Sequence, residues 1–301
     1  METIKGKVSW IDIVKPTEED ISWLKKNYRF HHLILDELRL PSARSKIDFR
    51  KDYFYFVYYF PVYDLKEQVS RRGEIDFIVT KKEVITVSYD EVEVFDDKRR
   101  SLKPESHVFQ DSMMLVHHLI ETLLSFQQRQ LIHIGRKVEE VSSELFKERE
   151  KQREQELLQK ISYLKRDISQ YRIIIKPQRH ILDSFFQGGC GFLGSQCQIY
   201  LNDLIGEHMK IVDQLEDYRQ AVDDFESTNN QLINIKNTQV VKTFTILAFV
   251  TFPMMLFSAI FSMNTKNTPI VDGDNGFWVI LGIMVMAMLV MFAYFKKRDW
   301  L

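Results

Sequence analysis

"KTFTILAFVTFPMMLFSAIFSMN" (Lys242–Asn264) decides how this chain is read. From Thr243 to Phe261 about 19 residues pass without a charge, enough to cross a hydrocarbon core. The run stops on Ser262-Met263-Asn264, a polar segment follows, and a second charge-free run extends from Phe277 to Phe295. Buried core helices rarely stay apolar on every face for this length, so the pair is expected to span a membrane. Lys236 and Lys242 precede the first run, and Lys296, Lys297 and Arg298 follow the second. The connecting segment sets Lys266 against Asp272 and Asp274. That Lys/Arg excess puts both ends inside and residues 262–276 outside, so both termini are expected in the cytoplasm.

Working outward, the rest of the chain is water-soluble in character. Of 301 residues, 28% are charged, with a net charge of -1. The length suits about two domains, and no bulk basic field points to nucleic acid. No GxxxxGK[ST] phosphate loop occurs, so no nucleotide partner and no ATP-driven pump are expected. The start, METIKGKVSW, lacks an apolar h-region, so no signal peptide is expected. Two cysteines, Cys190 and Cys197, are too few for a disulfide framework and lack the spacing of a zinc site, and are read as reduced thiols.

Residues 1–103 read as a mixed α+β domain. "YFYFVYYF" (Tyr53–Phe60) and "IDFIVT" (Ile75–Thr80) have strand composition, and "KKE" separates the latter from "VITVSY" (Val84–Tyr89) as in a hairpin. Thr17 followed by Asp20 resembles a capping box with Asp in place of Glu. Residues 104–187 read as long charged helices, with a kink at Lys176-Pro177. "GGCGFLGSQC" (Gly188–Cys197) is the clearest linker, assigned to 188–198. Its Gly189-x-Gly191-x-x-Gly194 has dinucleotide-fingerprint spacing, but a helical stretch precedes it where the fingerprint needs a strand.

A stalk helix follows at 199–242. Leu201, Leu204, His208, Ile211, Leu215, Tyr218, Val222, Phe225, Asn229 and Leu232 alternate steps of three and four, a heptad seam with two polar interruptions. His208 in that seam reads as a packed or register-setting histidine rather than a metal ligand. No proline intervenes before Pro253, so 199–261 can be one helix about 90 Å long, joining the stalk to the first span.

With these pieces in order, the chain resembles the CorA magnesium-transporter family over nearly its whole length. The most specific part is the end: "VVKTFTILAFVTFP", Ser262-Met263-Asn264 where the family has Gly-Met-Asn, a short loop, a second span, and "YFKKRDWL". Weaker likeness lies in "HHLILDELRLPSARSKIDF" (His31–Phe49) and "IIIKPQRHIL" (Ile173–Leu182). The resemblance implies a funnel-shaped homo-oligomer, a pentamer, in the plasma (inner) membrane of a prokaryote. Residues 243–261 would line the pore, 262–276 form the external loop, 277–295 the second span, and 296–301 a cytosolic basic tail. Two departures stand out: Ser262 replaces the signature glycine, and the family's Met-Pro-Glu becomes "NTPI" (Asn267–Ile270).

The resemblance also implies roles for single residues. Ser262, Met263 and Asn264 would form the selectivity filter. Thr238, Val241, Phe244, Thr245, Ala248, Phe252, Met255 and Ala259 would face the pore. Glu37, in "LILDEL", and Asp203, in "YLND", would hold a regulatory metal between subunits. Lys296, Lys297 and Arg298 read as a topology anchor, with a basic collar around the pore as the other reading.

Physical reasoning gives these positions a use. Two spans per chain cannot enclose a water path, so conduction needs an oligomer. A first span without ionisable groups offers nothing to strip an ion of its water, which suits Mg²⁺. A ring of Asn264 amide oxygens could accept hydrogen bonds from a hydrated cation. Phe252 and Met255, if they face inward, make a constriction that gates by dewetting. The expected function is a CorA-like divalent-cation channel for Mg²⁺ influx, with Co²⁺ and Ni²⁺ as further cargo, closed by cytosolic divalent metal and doing no covalent chemistry. Two alternatives stay open: a zinc transporter of the same superfamily, proton-coupled or not, and a non-conducting membrane-anchored metal sensor or scaffold. No intramembrane carboxylate or histidine offers a proton relay.

Overall fold

The computed structural model describes residues 1–90, 92–145, 147, 151–194, 196–263 and 275–298. The chain divides into two compact units, Met1–Glu226 and Ser227–Leu301.

The first unit is built on a six-stranded sheet: β1 (Glu2–Ile4), β2 (Ser9–Val14), β3 (Ile47–Phe49), β4 (Tyr53–Asp64), β5 (Val69–Thr80) and β6 (Glu83–Ser88). The spatial order is β1-β2-β6-β5-β4-β3. Only β2 and β6 pair in parallel; the other neighbours are antiparallel. The expected hairpin is β5–β6. Thr80 closes its turn, its hydroxyl accepting from the Glu83 amide at 2.9 Å.

Strand β4 explains why its sequence shows no polar alternation. Phe54, Phe56, Tyr58 and Phe60 belong to one core cluster with the long helices. Tyr53, Tyr55, Val57 and Tyr59 belong to a second, with α1 (Glu18–Asn27) and α2 (His32–Glu37). A strand covered on both faces reads as a continuous apolar run. The larger cluster is aromatic at its centre: Phe56 stacks on Phe77 with centroids 4.6 Å apart. Helix α1 starts at the expected capping box, with Thr17 as N-cap and Asp20 accepting from the Thr17 amide at 3.0 Å.

After α3 (Glu93–Ser101) and a 3₁₀ turn (His107–Gln110), α4 (Ser112–Leu145) and α5 (Lys151–Ile175) are the long charged helices the sequence called for. At Lys176-Pro177, where a kink is expected, the helix is interrupted: α5 ends at Ile175, the Lys176 amide still donates to the Arg172 carbonyl at 3.0 Å, and α6 (Gln178–Ser184) follows with Pro177 as N-cap. The linker expected at 188–198 is largely helical. A π-turn (Phe185–Gly189) runs into α7 (Cys190–Leu193), and the chain turns at Gly194, whose φ of 103° is favourable only for glycine. That turn brings Cys190 and Cys197 to a Cα separation of 5.2 Å, and they are joined in a disulfide. The expectation of reduced thiols is corrected here, because spacing along the chain does not reveal that a reversal folds one cysteine back on the other.

Helix α8 (Cys197–Ser262) is one element of 66 residues that includes Pro253. Six of the ten seam positions are buried in the first unit: Leu201, Leu204, His208, Ile211, Leu215 and Val222 are each no more than 1% exposed, while Tyr218 and Phe225 are half-buried. Polar ties flank it, from Gln128 Nε2 to Gln214 Oε1 at 2.9 Å and from Arg172 Nε to Glu216 Oε1 at 2.7 Å. The seam thus packs on the chain's own α4 and α5, where a heptad alone suggests a second copy. His208 sits inside it with neither ring nitrogen bonded. Burial pushes its pKa down to about 4, with Arg179 adding to the effect and Asp183 opposing it.

The second unit holds the rest of α8 and α9 (Gly276–Lys297). Only 11% and 6% of the most apolar stretches of the two helices are buried. Phe244, Leu247, Phe249, Phe252, Met255 and Leu256 are all more than half exposed. Apolar area of this extent needs lipid or neighbouring chains against it.

Two outcomes follow from this packing. Asp167 of α5 is buried and accepts from both the amide and the hydroxyl of Ser70 at 2.7 Å. Asp167→Ala orphans both donors and should cost about 1–3 kcal/mol, read as a lower urea midpoint for the detergent-solubilised protein, with Asp167→Asn losing less. For His208, the folded pKa of about 4 lies below the unfolded value of 6.5. The unfolded chain therefore takes up the proton first as pH falls. The contribution is complete above pH 6.5 and declines toward pH 4, by up to about 1.4 kcal/mol per pH unit. His208→Leu should flatten that part of a stability-against-pH curve; an unchanged slope would assign it to other groups.

Candidate functional site

The first span is α8 beyond Lys242. A helix satisfies every backbone amide within the segment, which hydrocarbon demands. Its hydroxyls follow the same rule: Thr243 donates to the Gln239 carbonyl at 3.0 Å, Thr245 to Val241 at 2.8 Å, and Ser262 to Ala259 at 3.0 Å. Just below, Thr238 donates to Asn234 at 2.8 Å. Each hydroxyl has spent its proton and keeps an oxygen to offer a cation or its water. Pro253 has no N–H for the Phe249 carbonyl one turn back.

Thr238, Val241, Phe244, Thr245, Ala248, Phe252, Met255 and Ala259 all lie on this one continuous helix. Val241, Phe244, Phe252 and Met255 are open in a single chain, but so are Leu247, Phe249 and Leu256. Exposure in one chain therefore does not by itself separate a pore face from a lipid face. The helix ends at Ser262, where the signature begins, and Met263 is 58% exposed. Asn264 lies outside the described residues, as does nearly all of the expected external loop. In α9, Lys296 and Lys297 occupy the last turn, where cations complement the helix dipole. The Arg298 guanidinium lies 5.9 Å from the Tyr294 ring centroid.

Glu37 and Asp203 lie in the first unit. Glu37 ends α2 and its carboxylate pairs with the Lys46 ammonium. Its backbone oxygen accepts from the Tyr89 hydroxyl at 3.4 Å. Asp203, two turns into α8, has Oδ2 3.0 Å from Nε2 of His117 on α4, whose ring lies 5.1 Å from that of Tyr200. Within one chain each carboxylate thus has a partner of its own. Both stay accessible, with side chains 40% and 58% exposed. Among the described residues no three His, Cys, Asp or Glu side chains gather as a metal cage. Any metal held by this pair needs ligands from water or from another chain.

Sequence reasoning missed Lys46 and His117: Lys46 reaches Glu37 across an irregular loop whose path no periodicity reveals, and His117 lies 86 residues from Asp203. It also missed a buried acid pair. Asp76 is fully buried on β5 and accepts from Tyr89 Oη at 2.9 Å and Tyr55 Oη at 3.1 Å. Glu74 accepts from the Ser42 amide at 2.7 Å. Burial, then the neighbouring Glu74 carboxylate, holds the Asp76 pKa well above the usual carboxylate range. A signal was present: Glu74 and Asp76 are alternate residues, hence on one face, of an otherwise apolar strand.

Comparison with known proteins bears on this arrangement as a whole. Residues 5–297 match the family model of the CorA-like Mg2+ transporter protein. The chain is 24% identical over 296 residues to the cobalt/magnesium transport protein CorA of Thermotoga maritima, covering 97% of this chain and 83% of that one. It is 21% identical over 315 residues to the magnesium transport protein CorA of Campylobacter jejuni, covering 100% and 93%. Its fold matches the complete structure of the CorA magnesium transporter from Methanocaldococcus jannaschii with a TM-score of 0.85 at 17% identity, over 98% and 92% of the two chains. With the family model matched over all but the ends, an α/β domain, a long helix and two apolar helices in that order, the chain belongs to the CorA-like Mg2+ transporter family, a family of transporters and not of enzymes.

Proposed function

We propose that this chain forms a homopentameric channel that admits hydrated Mg²⁺ through the plasma membrane, driven by the membrane potential, with Co²⁺ and Ni²⁺ as further cargo. The observation that carries the reading is α8: one helix runs from the packed first unit into a charge-free span and ends on Ser262. Two spans cannot enclose water, so five copies of this helix would surround the path in a funnel-shaped assembly. The Lys/Arg bias supports a cytosolic first unit with both termini on that side.

In this reading Ser262, Met263 and Asn264 form the outer filter, and the Asn264 amide oxygens hold the ion through its water shell. Mg²⁺ gives up water reluctantly, and a span that offers hydroxyl oxygens and no carboxylate suits an ion that keeps it. Phe252 and Met255 form the dewetting constriction. Lys296, Lys297 and Arg298 anchor the inner end, near the start of the basic tail. Nothing in the geometry favours the zinc-transporter or the scaffold reading over this one.

Glu37 of one subunit and Asp203 of the next would share a regulatory Mg²⁺. Two carboxylates across an interface repel each other unless a cation lies between them. Cytosolic Mg²⁺ then favours the closed ring because it binds that state better. The ion would compete with Lys46 and His117 for the same oxygens, which keeps the site weak enough to empty as Mg²⁺ falls.

The test is uptake into liposomes, comparing Mg²⁺, Zn²⁺, Co²⁺ and Ni²⁺ at several pH values. Mg²⁺ should enter and respond to voltage; flux of Zn²⁺ alone, or none, would overturn the reading. Asn264→Ala should abolish selective uptake and leave assembly intact, since each lost hydrogen bond to a charged group costs about 1.5–3 kcal/mol. Asp203→Lys should make protease protection of the first unit independent of Mg²⁺, whereas Asp203→Ala should lose that protection. Wild-type Mg²⁺ dependence in both variants would remove Asp203 from the regulatory site.

A further inference from the structure

The transport reading leaves the only two cysteines without a task. Their placement suggests one. Cys197 is the first residue of α8, 1% exposed, and packs in the main core. Cys190 is the first residue of α7 and is partly exposed. Helix α7 rests on the sheet: the Phe192 ring meets Phe54 of β4 edge-on at 5.9 Å, and the Lys81 ammonium lies 5.5 Å over it. Between the cysteines the chain reverses at Gly194, whose amide donates to the Cys190 carbonyl at 3.1 Å and whose carbonyl accepts from the Cys197 amide at 3.2 Å. The bond therefore ties the start of α8 to a segment seated on β4.

We propose that Cys190–Cys197 is a reversible redox site, exchanging with a low-molecular-weight thiol–disulfide couple, and that its state sets how firmly the first turns of α8 are held to the sheet. A disulfide facing the cytosol meets reducing thiols, so one that forms there is of the transient, regulatory kind. That step rests on the cytosolic placement of the first unit proposed above. A metal-thiolate role finds no third ligand among the described residues.

The chemistry closes on itself. In reduction, a small thiolate attacks the sulfur of the partly exposed Cys190, and the S–S electron pair leaves on Cys197, which takes a proton. A second small thiolate attacks the outer sulfur of the mixed disulfide and releases Cys190. Two small thiols supply the two electrons and leave as one small disulfide. Oxidation by that disulfide is the reverse. The small-thiol attack falls on Cys190 because Cys197 is covered. With the bond open, the start of α8 loses its cross-link to Cys190, stays joined to α7 only through the backbone, and keeps the packing of Cys197, Leu201 and Leu204.

The test uses purified full-length protein in detergent, equilibrated across ratios of glutathione to glutathione disulfide, trapped with N-ethylmaleimide and weighed intact. Hydrogen exchange is followed over residues 196–204. Both sulfurs should convert together in one two-electron step. Amides of the first turns of α8 should exchange about tenfold faster when reduced. The double variant Cys190→Ser, Cys197→Ala should exchange at the reduced rate in every buffer. A bond that survives the most reducing ratio, thiols that remain alkylatable at the most oxidising one, or equal exchange in both states would each overturn the proposal. No readout involves ion flux, so its failure is distinguishable from failure of the transport reading.

Discussion

A backbone in hydrocarbon has no water to pair with, so each amide must find its partner inside its own segment. Helix α8 is one element from Cys197 to Ser262 and meets that demand at every residue of its interior but Pro253. Its seam meets a second demand: Leu201 to Val222 pack on the chain's own helices within the first unit. Pro253 is tolerated because only one hydrogen bond is forgone, while hydroxyls at Thr243, Thr245 and Ser262 are satisfied on nearby carbonyls.

The sheet domain solves a different problem. Strand β4 carries aromatic residues on both faces and cannot face water on either. Helices α1 and α2 cover one face; α4 and the segment Gln178–Phe185 cover the other. This double burial gives the loop between α2 and β3 a firm base, because Tyr59 donates to the Ser42 carbonyl at 2.8 Å and Glu74 holds the Ser42 amide. Glu37 and Lys46 lie at the two ends of that loop, so the position of a proposed regulatory carboxylate depends on aromatic packing several residues away.

Charge is kept out of the apolar run. The described part of the first span has no ionisable group, while the first unit carries ion pairs such as Lys165 with Glu226 and Asp223. Exposed pairs of this kind are worth little each. They keep the seam's flanks polar and leave the apolar face of the spans as the surface that lipid or neighbouring chains must cover.

The sequence by itself determined the features that depend on local spacing. The two charge-free runs, the hairpin of Ile75–Thr80 with Val84–Tyr89, the capping box at Thr17 and the single helix over 199–261 all follow from residues within a few turns of one another, and the observed β5–β6 pairing and α8 agree with them to within a few residues. It also carried the family likeness through its C-terminal end. Only the tertiary structure decided which side chains meet: Lys46 on Glu37, His117 on Asp203, the seam of α8 against α4 and α5, the burial of Glu74 and Asp76, and the closure of Cys190 on Cys197. Those contacts depend on where a turn such as Gly194 sends the chain. That direction is set by the burial of whole elements and not by any pattern the neighbouring residues display.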